Sequence, residues 1–189
     1  MNIWINVLTR KKTIIIILMT IKIRTNILCY RFVIHRKLVA IILQKIQKYK
    51  MSDLQSVAAK KMAPPPCDEK MQVTVYDAED GVAHGVWNVD ETFLNGIGVV
   101  MGGFVPAAAD IMMAYAVASK LSDQQNFVSI DLDCTFHRPT LPGKVEITAT
   151  VERLGRKIGY VVCELEQNGK KVASCVSTIY ISQQEDSEE

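Results

Sequence analysis

One apolar segment limits what this chain can fold into more than any other feature of the sequence. MGGFVPAAADIMMAYAVASK spans residues 101–120, and between its paired glycines and its final lysine it carries a single charge, Asp110. The pattern predicts a helix over about 104–120 that is apolar on all sides. Such a helix must be buried on all sides.

Runs of alternating apolar and polar residues surround this predicted helix. NFVSIDLDCTFHRP, residues 126–139, alternates over its whole length and predicts a strand with one buried face. Further strands are predicted in KVEITATVERL, IGYVVCELE and VASCVSTIYIS, with two more β-like runs at 71–78 and 83–89. The pair Asn168-Gly169 is typical of a tight hairpin. The residues expected on the buried face of the first strand are Val128, Ile130, Leu132, Cys134 and Phe136.

A single helix can be buried against one antiparallel sheet only if the sheet curls around it. The sequence therefore predicts an α+β fold, in which an antiparallel sheet wraps around one central apolar helix. The glycines at 96, 98, 102 and 103 lack the GxGxxG spacing of a dinucleotide-binding loop.

Charge and cysteine content exclude some classes of function. Residues 1–50 hold 11 of the 22 Lys and Arg residues and none of the 20 Asp and Glu residues, so the rest of the chain has a net charge of −9. An acidic body argues against nucleic acid as the main partner. The five cysteines form no CxxC pair and no zinc spacing with the three histidines. This usage indicates a reduced, intracellular protein without a structural metal.

Composition divides the chain into four regions. Residues 1–50 form a basic, acid-free extension, and residues 51–70 form a linker that ends in APPPC, where three prolines disfavour helix and central strand. Residues 71–182 form the folded domain. Residues 183–189 form an acidic tail that we expect to be disordered.

The N-terminal extension has three interpretations. Its basic character suits a mitochondrial targeting segment, although Ser and Ala are scarce. Its run TIIIILMTI follows basic residues as in a secretory signal, but no small-residue cleavage site follows, and the run is too short to span a bilayer. We favour the third, an upstream extension before a working protein that starts near Met51. A cytoplasmic or mitochondrial location is expected.

Asp110 needs a partner, water or a chemical role, because a carboxylate is costly to bury. The simplest interpretation places it on a rim of the helix, paired or solvated. A chemical interpretation uses the Gly-Gly pair before the helix, since bare N–H groups at a helix N-terminus can bind an anionic oxygen. Such donors beside a carboxylate that activates water are the groups needed to hydrolyse an acyl derivative.

The segment NGIGVVMGGFVPAAADIMMAYA, residues 95–116, resembles the signature of hotdog-fold acyl-CoA thioesterases of the PaaI-like group. The similarity extends over about residues 72–182, including the RP…G turn after the first long strand and the GR before the next. Met101 departs from the pattern, because the family has a His before the Gly-Gly pair. The positions that fall on the family's spacing are Asn95, Gly98, Gly102, Gly103 and Asp110.

The resemblance implies an enzyme of lipid metabolism that splits acyl-CoA into free acid and coenzyme A. Asp110 would activate the attacking water, and the backbone N–H of Gly102 would polarise the thioester carbonyl. Asn95 would help to hold the thioester or the water, and Ser129 would position the water. Gly103 and Met101 would contact the substrate beside these groups. No metal is implied, and no cofactor apart from the coenzyme A of the substrate.

The resemblance also implies a homodimer whose subunits share the active site, usually paired into a homotetramer. By alternation Ser129 lies on the polar face of its strand, opposite the face expected to cover the helix. We therefore expect it to reach the site at a subunit interface.

Three basic residues are candidate partners for the phosphates of coenzyme A, because Arg binds phosphate through two parallel hydrogen bonds. They are Arg138, Arg156 and Lys157, and the alternative is ordinary solvated charge. His84 and His137 could act as bases at neutral pH, but neither lies near a nucleophile in the sequence.

Met101 keeps two other functions open. One is a non-catalytic hotdog module that binds acyl-CoA. The other is a hotdog enoyl-CoA hydratase, which the absence of a His beside the Gly-Gly turn disfavours.

Overall fold

The computed structural model describes residues 49–183. The expectations for residues 1–48 and for the acidic tail beyond Gln183 lie outside these residues. The described helices are α1 (Met51–Ala58), α2 (Pro66–Met71) and α3 (Phe104–Ala118). The strands are β1 (Val73–Glu79), β2 (Val82–Val89), β3 (Gln125–Ser129), β4 (Asp133–Phe136), β5 (Gly143–Leu154), β6 (Ile158–Gln167) and β7 (Lys170–Gln183).

These seven strands form one antiparallel sheet that curls around α3. The strand order is β1-β2-β5-β6-β7-β3, and β4 pairs with β7 beyond the end of β3. The helix contacts β1, β2, β4, β5, β6 and β7. Six strands of a flat sheet span about 24 Å, roughly twice the diameter of a helix, so only a curled sheet allows all these contacts. The predicted α+β fold with a central wrapped helix is confirmed.

The helix approaches the sheet closely at Gly85 in β2. A Cβ atom at this position would lie 2.3 Å from Cε of Met112 and 2.4 Å from the carbonyl oxygen of Thr74. Met112 has no exposed surface. Glycine is therefore required where the central helix crosses the strand.

The prediction that α3 is buried on every side is wrong for one stripe of the helix. Ala107, Asp110, Ile111 and Ala114 are only half-buried, and their spacing of three and four residues places them on one face. The other faces pack against the sheet, α1 and α2. An apolar stripe with one carboxylate therefore remains partly open to solvent.

Residues 51–70, expected to be a linker, instead contain two helices that pack on the domain. The last proline of APPPC occupies the first position of α2, where the N–H that proline lacks would have no helical partner. At the start of α1, Ser52 donates from its backbone N–H and its hydroxyl to Asp123, at 2.8 and 2.7 Å.

A buried carboxylate joins α2 to the central helix. Asp68 is 3% exposed, its Oδ2 accepts from the hydroxyl of Tyr115, and its Oδ1 accepts from the thiol of Cys67 at 3.2 Å. Burial raises the pKa of Asp68, and burial together with this hydrogen bond raises the pKa of Tyr115.

The segment predicted as one alternating strand is divided by a bulge. β3 pairs with β7 in a register that places Ser129 opposite Ile179, whereas the register of β4 is shifted by one residue. Asp131 stabilises the bulge, because its Oδ1 accepts from the N–H of Thr178 at 2.8 Å. A shift of one residue reverses which side chains face the core.

The expected buried face of this segment is therefore wrong in its first half, and it is also wrong at Phe136 near its end. Val128 and Ile130 are 60% and 57% exposed, while Leu132 and Cys134 beyond the bulge are half-buried. Phe136 is 55% exposed.

The predicted hairpin turn at Asn168-Gly169 joins β6 to β7, with φ angles of 54° and 70°. Both angles are positive, as a type I′ turn requires.

No helix within residues 49–183 is long and apolar enough to cross a membrane.

We expect Asp68→Asn to remove part of the pH dependence of stability. Because the pKa of Asp68 is raised in the folded state, its contribution to stability is fully present below the unfolded pKa and is lost as the pH rises through the folded pKa. In urea titrations, the free energy of unfolding of the variant should therefore improve relative to wild type between about pH 4 and pH 7.

Asp123→Asn is the matched control, with the opposite sign. The backbone N–H and hydroxyl of Ser52 lower the pKa of Asp123, so its contribution is present above the unfolded pKa and is lost as the pH falls. This variant should lose stability relative to wild type as the pH rises. The same trend in both variants would contradict the opposite pKa shifts of Asp68 and Asp123.

Candidate active site

The loop between β2 and α3 is supported by aromatic rings that pack edge to face. The rings of Trp87 and Phe93 pack edge to face with centroids 5.3 Å apart, and Phe93 packs in the same way on Phe104, the first residue of α3, at 5.1 Å. The N–H of Met101 donates to the carbonyl of Phe93 at 2.9 Å. The loop therefore enters the helix from a fixed position.

Asn95 shapes the turn that leads to the glycine pair. Its Oδ1 accepts from the N–H of Ile97 at 3.0 Å and from that of Val99 at 3.4 Å, and its backbone N–H donates to the carbonyl of Val99 at 2.8 Å. An Asn side chain bonded in this way mimics a backbone turn. The amide Nδ2 is not used in these contacts and can still donate to a ligand.

Gly102 and Gly103 lie immediately before the first residue of α3. Neither N–H donates to a backbone or side-chain acceptor within residues 49–183. Pro106 stands in the first turn, where its missing N–H leaves no helical bond unmade. The helix start thus presents unpaired donors at its positive end, which favours a negatively charged oxygen.

Asp110 and Ser129 meet within one chain. Ser129 Oγ donates to Asp110 Oδ1 at 3.1 Å, and Asp110 is half-buried in the open stripe of α3. Ser129 faces the helix because it lies before the bulge, opposite the buried Ile179 of β7. The expectation that Ser129 reaches the site only at a subunit interface is therefore corrected.

The two halves of the expected site are far apart in a single subunit. Eight residues separate Gly102 from Asp110, which corresponds to about 12 Å along the helix. A water molecule bonded to Asp110 and a carbonyl oxygen bonded to the Gly102 N–H must approach each other within about 3.5 Å. This axial separation favours a site in which the two groups come from different subunits.

A cavity of about 360 Å³ opens beside Gly102. Phe136 forms part of its wall, and its Cζ lies 3.3 Å from where a Cβ on Gly102 would be. Met101 is 47% exposed next to it, with its Cε 3.4 Å from where a Cβ on Gly103 would be. Met101 thus covers the glycine pair with a thioether in place of an imidazole.

The fold places His137 and Arg138 in the wall of the Gly102 cavity, although sequence distance gave no reason to connect His137 with the glycines. His137 Nε2 lies 2.5 Å from Ser174 Oγ, and Arg138 Nη1 donates to the carbonyl of Lys171 at 2.5 Å. No alternation signal identifies this neighbourhood, because the chain reaches it through the bulge.

Arg156 and Lys157 line a different cavity, of about 620 Å³, at the turn between β5 and β6. Arg153 and Tyr160 also line it, and the sequence analysis missed both. Its wall includes Thr178, whose carbonyl accepts from the N–H of Ile130 beside Ser129 at 2.7 Å. This basic cavity therefore lies at the Ser129 end of β7, away from Gly102.

Within the described residues, no group of three His, Cys, Asp or Glu side chains could hold a metal ion.

Comparisons with known proteins agree with this fold. Residues 97–174 match the family model of the thioesterase superfamily, a range that includes the glycine pair, α3 and the strands from β3 to β6. No curated protein matches the chain at the required level.

Solved structures share the fold over almost their whole length. A phenylacetic acid degradation-related protein from Ralstonia eutropha JMP134 is 27% identical with a TM-score of 0.64, over 67% of this chain and 98% of that one. The PaaI protein of E. coli is 23% identical with a TM-score of 0.60, over 70% and 95%. A thioesterase from Haemophilus influenzae is 18% identical with a TM-score of 0.61, over 76% and 97%. The chain therefore has a hotdog fold, and it is similar in residues 97–174 to the thioesterase superfamily and in structure to PaaI-like proteins.

Two substitutions of Asn95 should have different effects on stability. Asn95→Ala removes the acceptor of two backbone N–H groups and should lower the free energy of unfolding by about 1–2 kcal/mol. Asn95→Asp places a carboxylate oxygen where the amide oxygen lies, so its free energy of unfolding should remain within about 0.5 kcal/mol of wild type. Urea unfolding measures both, and an equal loss in the two variants would show that the side-chain oxygen does not hold the turn.

Proposed function

We propose that this protein hydrolyses acyl-CoA thioesters to free acid and coenzyme A, in active sites that each combine residues of two subunits. The observation that carries the proposal is the carboxylate–hydroxyl pair of Asp110 and Ser129, with Oγ and Oδ1 3.1 Å apart on the open stripe of an otherwise buried helix. A buried apolar helix has no structural need for a carboxylate at this position.

The Asp110–Ser129 pair suits a general base that activates water. The hydrogen bond from Ser129 occupies Oδ1, so Oδ2 is available to accept a proton from water. The lone pairs of Ser129 Oγ can accept the second water hydrogen and thereby orient the molecule. As the water oxygen attacks the thioester carbon, its proton passes to Asp110, and the coenzyme A thiolate leaves with the electrons of the broken C–S bond.

The oxyanion donor would come from a second copy of the chain. The Gly102 N–H stabilises the negative charge that develops on the carbonyl oxygen, and Asn95 Nδ2 lies on the same loop as a further donor. These groups lie about 12 Å along the helix from Asp110 of the same chain, and this separation favours their supply by the partner's helix start. Two-fold symmetry then gives two identical sites per dimer.

The edge of the sheet offers a surface for this dimer. β3 is the last strand of the sheet order, and the adjacent Val128 and Ile130 are exposed. Exposed apolar residues on an open edge strand favour pairing with another chain. Such a contact would also cover the half-buried stripe of α3. The tetramer expected from the resemblance is not needed to complete a site.

The basic cavity between β5 and β6 is suited to the nucleotide end of coenzyme A. Arg153, Arg156 and Lys157 bring three positive charges to its wall, and Tyr160 adds an aromatic ring that is 41% exposed. Guanidinium groups bind phosphate, and an exposed ring can stack on an adenine base. Arg138, in the Gly102 cavity, is the remaining candidate for a phosphate contact.

Met101 supports a second candidate, a module that binds acyl-CoA without turnover. If catalysis needs an imidazole before the glycine pair, this chain lacks it at that position. Tight binding of acyl-CoA with no release of free thiol at any chain length would favour the module. Formation of a hydrated product from an enoyl thioester would favour the hydratase.

Asp110→Asn should lower kcat for acyl-CoA hydrolysis by about 10²–10⁴-fold, because the amide cannot accept the proton from water. Release of free thiol from a panel of acyl-CoAs measures the rate. Glu79→Gln, at an exposed carboxylate at the end of β1, is the matched control and should retain wild-type activity. Full activity of the Asp110 variant would overturn the proposed base.

A mixture of two variants of low activity tests whether the sites are shared. Asn95→Asp loses the Nδ2 donor and should lower kcat by about 10²–10³-fold. Asp110→Asn and Asn95→Asp alter groups that the proposal assigns to different subunits of each site. When equal amounts of the two variants are refolded together, half of the dimers contain one subunit of each variant. Each mixed dimer has one intact site out of two, so about a quarter of wild-type activity should return. If both residues act within one subunit, mixing restores nothing.

Arg156→Ala and Lys157→Ala should each raise KM for acyl-CoA about tenfold, with little change in kcat, because they contact a part of the substrate that does not react. KM for the same acyl group on N-acetylcysteamine, which has no nucleotide, should not change. Lys170→Ala is the control, because Lys170 is an exposed lysine at the start of β7, paired with Gln167 at the opposite end of β6. An equal effect on both substrates would place the two residues outside a nucleotide site.

A further inference from the structure

We propose that Cys134 and Cys175 are an oxidation site, at which hydrogen peroxide converts two neighbouring thiols into a disulfide between β4 and β7. This inference does not depend on the proposed hydrolysis, in which neither thiol takes part. Three cysteines form one row across adjacent strands. Cys134 of β4 and Cys163 of β6 both lie directly opposite Cys175 of β7.

The thiols of Cys134 and Cys175 are already in contact. Cys175 Sγ donates to Cys134 Sγ at 2.9 Å, and both side chains point to the inner face of the sheet, where Cys175 is 1% exposed. Cys134 is half-buried and is therefore the member of the pair that a small oxidant reaches first. A disulfide needs an S–S separation of about 2.05 Å, so the two sulfurs have less than 1 Å to move.

The ladder between the strands also suits a disulfide at this pair. If the register between β4 and β7 is continued, His137 lies opposite Val172. The N–H of His137 donates to the carbonyl of Val172 at 2.8 Å, so these two residues form a hydrogen-bonded pair. Hydrogen-bonded and non-hydrogen-bonded pairs alternate, so Cys134 and Cys175, three positions away, are a non-hydrogen-bonded pair. Such pairs have Cα atoms about 4.5 Å apart, within the 4.4–6.8 Å range that a disulfide spans.

Cys163 and Cys175, in contrast, form a hydrogen-bonded pair between β6 and β7. In that register, the N–H of Ile181 donates to the carbonyl of Lys157 at 2.8 Å, and Cys175 is six positions away, so this pair is hydrogen-bonded with Cα atoms about 5.5 Å apart. Cys163 is 1% exposed. The disulfide should therefore form between Cys134 and Cys175, with Cys163 left as a thiol.

The reaction proceeds in two balanced steps. The Cys134 thiolate attacks one peroxide oxygen, which breaks the O–O bond and gives a sulfenic acid and one water after proton transfer. Cys175 then attacks the sulfenic sulfur, loses its proton, and displaces the hydroxyl as a second water. In total, two thiols give up two electrons and two protons to one peroxide.

The surroundings assign different roles to the two thiols. Burial raises the pKa of Cys134, while the hydrogen bond from Cys175 acts in the opposite direction. Burial raises the pKa of Cys175 more strongly. Cys134 is thus the more easily ionised of the two, and oxidation is slow at neutral pH because little thiolate is present.

The disulfide would fasten the strand that supports the Gly102 amide. Phe136 lies two residues beyond Cys134 on β4, and its ring packs against Gly102. Closing a loop of about 40 residues restricts the unfolded chain, so the oxidised protein should melt about 10 °C higher than the reduced protein.

The test treats the full chain with hydrogen peroxide at about pH 8.5, where thiolate is more abundant. Remaining thiols are then alkylated in denaturant, and the disulfide is mapped by peptide mass spectrometry. We expect a linked peptide pair that contains Cys134 and Cys175, a rise in Tm, and recovery of both thiols after treatment with dithiothreitol.

Serine variants identify the thiols involved. Cys134→Ser and Cys175→Ser should each abolish the linked pair and the rise in Tm, whereas Cys163→Ser, the matched control, should retain both. A linkage to Cys163, or conversion of Cys134 to sulfinic acid in the wild-type chain without a disulfide, would overturn the proposal.

Discussion

Burial of one apolar helix is the constraint on which the rest of the structure depends. A helix whose faces are nearly all apolar has to be surrounded, and a curled antiparallel sheet surrounds α3 on most sides. Close contact at Gly85 and the packing of α1 and α2 complete the core. The helix therefore acts as the axis of the domain, and each functional group is placed by its position along that axis.

The same axis sets the separation between the two groups of residues in the proposed site. Gly102 and Gly103 present their unpaired N–H groups at the start of the helix, and Asp110 meets Ser129 two turns later on the stripe that the sheet leaves open. Because the helix is rigid, it holds these groups about 12 Å apart along its axis within one subunit. In the proposed dimer, a second copy would cover the open stripe and the exposed edge of β3. Catalysis and association are linked in the proposed function for this reason.

The segment from β3 to β4 shows how a local irregularity decides which side chains meet. Its bulge turns Ser129 toward the helix, leaves Val128 and Ile130 outside, and carries the chain on to Phe136 and His137 beside the glycine pair. The same segment places Cys134 against Cys175. One inserted residue thus arranges the acid–hydroxyl pair, the wall of the Gly102 cavity and the proposed oxidation site together.

Several features could be predicted from the sequence because they depend on local pattern. An all-apolar helix preceded by Gly-Gly indicates both the wrapped fold and a helix start with free donors, and Asn168-Gly169 indicates its own turn. Asp110 stands out because a lone carboxylate is costly in such a helix. Its partner could not be found in this way, since alternation assigns Ser129 to the wrong face once a residue is inserted.

Only the tertiary structure decided which side chains share a cavity and which remain apart. Periodicity reports the faces of one element, whereas register and bulges depend on hydrogen bonds between elements, such as that from Thr178 to Asp131. The helices in residues 51–70 were missed for a similar reason, because their stability comes from packing on α3 and from bonds such as that between Tyr115 and Asp68. The sequence by itself determined the need for a surrounded helix, and long-range pairing determined what surrounds it.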